Sequence, residues 1–431
     1  MKQKIVILTL FLISFFIRMC KLGETPLGIS VDEANFGIYL SKLVGDLAFN
    51  PLFVRLPFAI IGLVTIPLLY YFLYKVSGNF KLSFFVTLIF ALSPWHIQES
   101  RILSYGVILV FIFLIFLFFC RNHLKLISQI NYKVITCLLV FLVSLSIVNI
   151  PENIKEKVDF QRNLVSGTMN PILVEIFSNK LVESYRHSQK LVFEEIDFGN
   201  YFFAGYPRQR WGVEEAQKFL PSILLLFLIG FFVVNQKSLK NLVLLSLICI
   251  LIIVFFRLTG TSYTLPLALP VSFLTGTVLS KIKDKLVLVI FGILYTLELS
   301  FFLVNYFTHQ GESRFSPRRP VFASLVSEVV EYGKFEDKVF VSSKLINPEP
   351  FFKYYSKNQL PDYFEFGDID YTKNYTMGAR SGQLFVDILP DDASPSEILY
   401  KENGNWPDGF YIKSEFRDPN KNFTIVVFKR W

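Results

Sequence analysis

Two adjacent carboxylates, Asp32 and Glu33, stand in the stretch LGETPLGISVDEAN at residues 22–35, just after the first apolar segment. A carboxylate at a membrane face is costly to desolvate and is a functional candidate by default. The same pair also fits the start of a helix, which the apolar spacing predicts over 34–47, along the interface. There Asp32 would cap the helix and Glu33 would favour its positive end. The two roles are compatible. Pro26, Gly28 and Ser30 supply the turn chemistry that breaks the helix before them. Other charges fall at the same end of the apolar segments. Arg18 ends the first, Arg55 opens the second in RLP, and His96, Glu99 and Arg101 join the third and fourth in SPWHIQESR. Arg257 ends the seventh in FRLTGTSY, with Tyr263 close behind. Arginine holds phosphate oxygens through a fixed fork and keeps its charge. A carboxylate can accept the proton of an attacking hydroxyl. The set therefore suits a lipid-linked phosphate and a hydroxyl that must be deprotonated. Each arginine taken singly is equally a snorkelling residue or an ion-pair partner of the nearby acids.

Other chemistries lack their signatures. GxxxxGK[ST], GxGxxG and HExxH are all absent, which argues against nucleotide hydrolysis and zinc proteolysis. His96 and Glu99 at helical spacing could contribute two ligands to a divalent metal, short of a complete site. The 4 cysteines include no CxxC pair and give no disulfide or zinc pattern. Glu298 falls inside an apolar segment and needs a partner, either a structural hydrogen bond or a polar cavity.

These residues must be positioned by a membrane bundle. Of 431 residues, 52% are hydrophobic and only 18% charged, 48 are Phe, and mean hydropathy is +0.46. Soluble domains carry more charge. The net charge of +8 comes from basic residues scattered between apolar segments, which points to topology and not to nucleic acid. By length, about nine segments could span a bilayer: 5–21, 55–75, 81–98, 102–120, 134–150, 219–235, 240–256, 263–280 and 286–307. With the N-terminus inside, the inner loops hold Lys75 with Lys81, Arg121 with Lys125 and Lys133, Lys237 with Lys240, and Lys281 with Lys283 and Lys285. Each is short and basic, as the positive-inside rule requires. The first segment has Arg18, Met19 and Cys20 where a cleavage site would stand, so it reads as an uncleaved span. The expected placement is multi-pass in the plasma (inner) membrane, with the tail outside.

Residues 22–54, 99–101, 151–218 and everything after 307 then lie outside. The loop 151–218 should form short helices on the bundle, with an aromatic and basic rim at Phe202, Phe203, Tyr206, Arg208, Arg210 and Trp211. A Pro-containing linker at 308–320 leads to a small α/β unit at 321–431. Its helices are expected at 321–332, 349–356 and 394–401, and its strands at 338–342, 383–388, 409–412 and 424–428.

The residues in this order resemble the polyprenol-phosphate-sugar glycosyltransferases with the C-type membrane fold, which include protein O-mannosyltransferases and lipid A aminoarabinose transferases. One apolar span followed by P-x-G-x-x-x-D-E-A (Pro26, Gly28, Asp32, Glu33, Ala34) is similar to the family's start. RLPFAIIGLVTIPLLYYFLYK, ALSPWHIQESRILSYG and SYTLPLALPVSFLTG are similar to its second span, its third-to-fourth junction and a late span. The match covers most of residues 1–307, and the tail resembles the soluble tails of bacterial members. The resemblance implies an inverting hexosyl or pentosyl transferase of the cell envelope. Asp32 would be general base beside Glu33, and Arg55, Arg101 and Arg257 would hold the donor phosphate. Arg18, His96, Glu99 and Tyr263 would be candidates for substrate contact. The partners implied are a polyprenyl-phosphate sugar and an acceptor protein, lipid or glycan. The alternatives are a lipid-diphosphate-dependent oligosaccharyl transferase or ligase and a lipid-linked glycan transporter. The chain departs from the family in its short run from Asp46 to Arg55, where members have a longer stretch with consecutive prolines. No residues match the metal site of some members.

Overall fold

The computed structural model describes residues 2–119, 218–234, 264–308, 321–334, 338–342, 345, 347–367, 383–390, 410–418 and 423–430, with isolated positions between 158 and 202. The spans expected at 134–150 and 240–256, nearly all of the outer loop, the linker and the helix expected at 394–401 lie outside these residues.

The described chain is mostly helical. It runs α1 (Lys2–Met19), α2 (Val31–Val44), α3 (Pro51–Ser77), α4 (Phe80–Ala91), α5 (Pro94–Glu99), α6 (Tyr105–Phe119), α7 (Ser222–Val233), α8 (Ala268–Lys281) and α9 (Lys285–Thr308). Among the described residues two helices are long and apolar enough to cross a membrane, α3 with 27 residues and α9 with 24. At 1.5 Å per residue they reach about 36–40 Å, against a hydrocarbon core of about 30 Å. Helix α9 leaves much of its apolar surface exposed: Leu286 (66%), Leu297 (63%) and Phe301 (68%). An exposed apolar helix of that length suits a membrane span. Helix α8 packs against both α4 and α7. A side chain at Gly276 would meet the Val86 backbone at 2.7 Å, the small-residue approach that lets apolar helices come close. The expected third span is divided. Helix α4 ends at Ala91 and Ser93–Pro94 opens α5, with Ser93 Oγ accepting from His96 N at 3.2 Å.

After α9 come α10 (Phe322–Gly333), β1 (Lys338–Ser342), α11 (Pro348–Tyr355), β2 (Phe364–Gly367), β3 (Gln383–Pro390), β4 (Phe410–Asp418) and β5 (Phe423–Arg430). The sheet order is β2-β1-β3-β5-β4. Strand β1 pairs in parallel with β2 and β3, and β5 runs antiparallel between β3 and β4. The α11 crossover joins β1 to β2, as a parallel pair requires. Strand β2 was not among the expected elements, because FEFG is too short for an alternation to stand out.

One core joins this unit to the segment around α2 and the start of α3. Ile29, Ala34 and Val54 belong to the same buried cluster as Phe322, Leu325, Val339, Phe351 and Tyr354. A second cluster fills the helical bundle. The residues around Asp32 are thus packed from above by the α/β unit and tied from below to the helix ends.

Candidate functional site

Helix α2 starts with a reciprocal cap. Ser30 Oγ accepts from Glu33 N at 3.2 Å, and Ser30 N donates to Glu33 Oε2 at 3.1 Å. Such a box satisfies two orphan donors of the first turn. The capping residue is therefore Ser30, not Asp32. Glu33 does more than cap. Its Oε1 accepts from Arg55 Nε at 3.2 Å and from Leu103 N at 3.4 Å. One fully buried carboxylate thereby links α2, α3 and the segment between α5 and α6. Asp32, one residue earlier, is exposed and has no ion-pair partner among the described residues. The geometry divides the acidic pair: Glu33 is committed to the scaffold, and Asp32 faces outward on a helix start that the scaffold fixes.

The arginines converge on the same region and are fully buried. Arg55 donates through Nη1 to Leu22 O at 3.1 Å and through Nη2 to Gly28 O at 2.5 Å. Gly28 has φ +69°, a conformation glycine adopts without penalty, and this turns its carbonyl within Arg55's reach. Arg101 donates to four carbonyls: Ile17 O at 2.7 Å, Arg18 O at 2.8 Å, Lys21 O at 3.3 Å and Thr25 O at 3.0 Å. The first two are orphan carbonyls of the last turn of α1. The guanidinium also lies over the Phe307 and Tyr306 rings, at 4.9 and 5.5 Å from their centroids. Arg18 returns the arrangement: its Nη2 donates at 2.8 Å to Ala91 O, the last carbonyl of α4. Two arginines thus close the ends of two helices, where a cation also meets the negative end of the helix dipole.

Arg18 Nη2 also lies 2.8 Å from His96 Nδ1. Arginine can only donate, so Nδ1 carries the lone pair, and the neutral ring holds its proton on Nε2, 3.3 Å from Thr65 Oγ1. Both ring nitrogens are engaged. Glu99 is buried and accepts a short hydrogen bond from Ser104 Oγ. Among the described residues no group of three or more His, Cys, Asp and Glu could hold a metal ion. Glu298 is resolved as a structural residue: both its oxygens accept from Ser222 N, at 3.1 and 3.2 Å, at the positive end of α7. Arg257 and Tyr263 lie outside the described residues.

The structure therefore gathers Arg18, Glu33, Arg55, His96, Glu99 and Arg101 at the end of the bundle where α1, α4 and α5 finish and α2 and α3 begin. Two features escaped the sequence reading. Ser30-x-x-Glu33 is a capping-box signature and was legible. Tyr354, packed against α2 from more than 300 positions away, has no local signal. Compared with family models, curated proteins and solved structures, the chain matches none.

Proposed function

We propose that the chain is an integral membrane glycosyltransferase. It moves a sugar from a polyprenyl-phosphate donor to an acceptor hydroxyl at the outer membrane face. About nine spans, an inner N-terminus and an outer tail complete the reading, supported by the basic inner loops. The observation that carries it is the division of the acidic pair. A scaffold of Ser30, Glu33 and Arg55 holds Asp32 as an exposed carboxylate at a fixed helix start.

In the step, the acceptor oxygen bonds to the anomeric carbon as its proton passes to Asp32. The bond from that carbon to the phosphate oxygen breaks, and its electron pair leaves with the polyprenyl phosphate. Attack opposite the leaving group inverts the anomeric centre. A positioned base contributes about 100- to 10,000-fold to such steps. Arg55 and Arg101 already spend hydrogen bonds on carbonyls. Their part in this reading is first to hold the loop that carries Asp32. Arg257, outside the described residues, is the arginine this reading assigns to the leaving phosphate, whose stabilisation is worth as much again or more.

The test is purified protein in lipid nanodiscs, supplied with a panel of polyprenyl-phosphate hexoses and pentoses and polyprenyl-diphosphate sugars. Sugar release or transfer from a monophosphate donor is the expected result. Turnover of diphosphate donors alone moves the chain to the oligosaccharyl-transferase class. No turnover of any donor removes the enzymatic reading.

A further inference from the structure

The α/β unit is built onto the helix that carries Asp32. At the contact Gly37 faces Tyr354 of α11. A Cβ at position 37 would lie 2.4 Å from Tyr354 Cε2, 2.8 Å from Cδ2 and 3.1 Å from the Ala48 carbonyl oxygen. The tyrosine ring is therefore wedged between α2 and the 3-10 turn Gly45–Phe49. It is fully buried, and its neighbours Phe49 and Tyr355 meet it edge-on, with centroids 5.6 and 5.3 Å away. Its hydroxyl has no hydrogen-bond partner among the described residues, and Glu33 and Arg55 are near enough to bias its proton. A second tie, Lys357 Nζ to Asp46 Oδ2 at 3.4 Å, is solvent-exposed and weak. Gly37 lies five residues from Asp32, about 7.5 Å along the helix.

We propose that Tyr354 is a positioning residue: through its ring on Gly37, the α/β unit sets where α2, and with it Asp32, stands relative to the bundle. The consequence for turnover rests on the transferase reading; the contact itself does not. Displacing a reacting group by 1 Å can cost on the order of 100-fold in rate, and a methyl group at position 37 demands a shift of that size.

The experiment uses the full chain in nanodiscs, with its four native cysteines replaced by serine. Spin labels on Asn35→Cys and Lys334→Cys, both exposed sites, report the distance between α2 and the α/β unit. Gly37→Ala should widen or shift that distribution and lower kcat by about 10- to 100-fold, leaving the donor KM unchanged. Tyr354→Phe keeps the ring and should match the parent in both readouts. Tyr354→Ala removes the ring and should also widen the distribution and lower kcat; combined with Gly37→Ala its effect should fall short of the sum of the two single changes, a non-additivity expected of groups in contact. A distribution in Gly37→Ala or in Tyr354→Ala identical to the parent's, or fully additive effects in the double variant, overturns the proposal. If the distances respond as expected but the parent turns over no donor, the positioning contact stands and the transferase reading falls.

Discussion

Removing Glu33 should destabilise the fold, whereas removing the neighbouring charge at Asp32 should not. Glu33 is fully buried and accepts from Arg55 Nε, Ser30 N and Leu103 N. Breaking a buried ion pair by deleting one partner costs about 3–5 kcal/mol. Losing one arm of a capping box costs about 1 kcal/mol. Arg55 would keep the Leu22 and Gly28 carbonyls, so the lower end of the first range applies, and the total for Glu33→Ala is about 4 kcal/mol. Native stabilities are commonly only about 5–15 kcal/mol, so this is a large share. The same deletion at Asp32 removes only an exposed charge in a first helical turn, worth about 0.3–1 kcal/mol. Thermal unfolding of detergent-solubilised protein, followed by intrinsic fluorescence, separates the two. Glu33→Ala should lower Tm by roughly 5 °C or more, and Asp32→Asn by much less. Replacing both partners, Glu33→Gln with Arg55→Met, should cost less than the sum of the single changes, because no buried charge is stranded. Equal Tm losses at positions 32 and 33 would refute the division of the pair.

Arg101→Met should destabilise by about 2–4 kcal/mol, since it strands the carbonyls of Ile17 and Arg18 and two more in the following loop; hydrogen exchange at the end of α1 should rise, and unchanged exchange there would remove the capping role. Burial raises the Tyr354 hydroxyl above its ordinary pKa, with Tyr355 and then Glu33 adding to the effect and Arg55 opposing it. The folded chain therefore keeps a proton that the unfolded chain releases above about pH 10. Stability should fall as pH rises through that point, and Tyr354→Phe should fall less steeply; parallel slopes would contradict the burial of that hydroxyl.

Much of the helical frame was legible because apolar length alone marks it. The segments read at 55–75 and 286–307 became α3 (Pro51–Ser77) and α9 (Lys285–Thr308). The expected span at 81–98 broke in two because Ser93–Pro94 is itself a helix start, a local signal overridden by the run of apolar residues around it. In the tail, alternating KVFVS identified β1, but FEFG gave β2 no period to read. At the site, the positions of the arginines were legible and their partners were not. Those partners are carbonyls at helix ends, which every sequence contains and none advertises. Ser30 and Glu33 form a spaced pair that could have been read as a box. The Gly37–Tyr354 contact joins residues far apart in the chain, and only the fold brings them together.

The most direct measurement compares Asp32→Asn with Glu33→Gln for sugar transfer at saturating donor, after matching the samples for folded protein by Tm. The account predicts that Asp32→Asn binds donor normally and loses at least about 100-fold in kcat. Folded Glu33→Gln should retain most of its turnover. Wild-type kcat in Asp32→Asn would contradict the central claim that this exposed carboxylate takes the acceptor's proton.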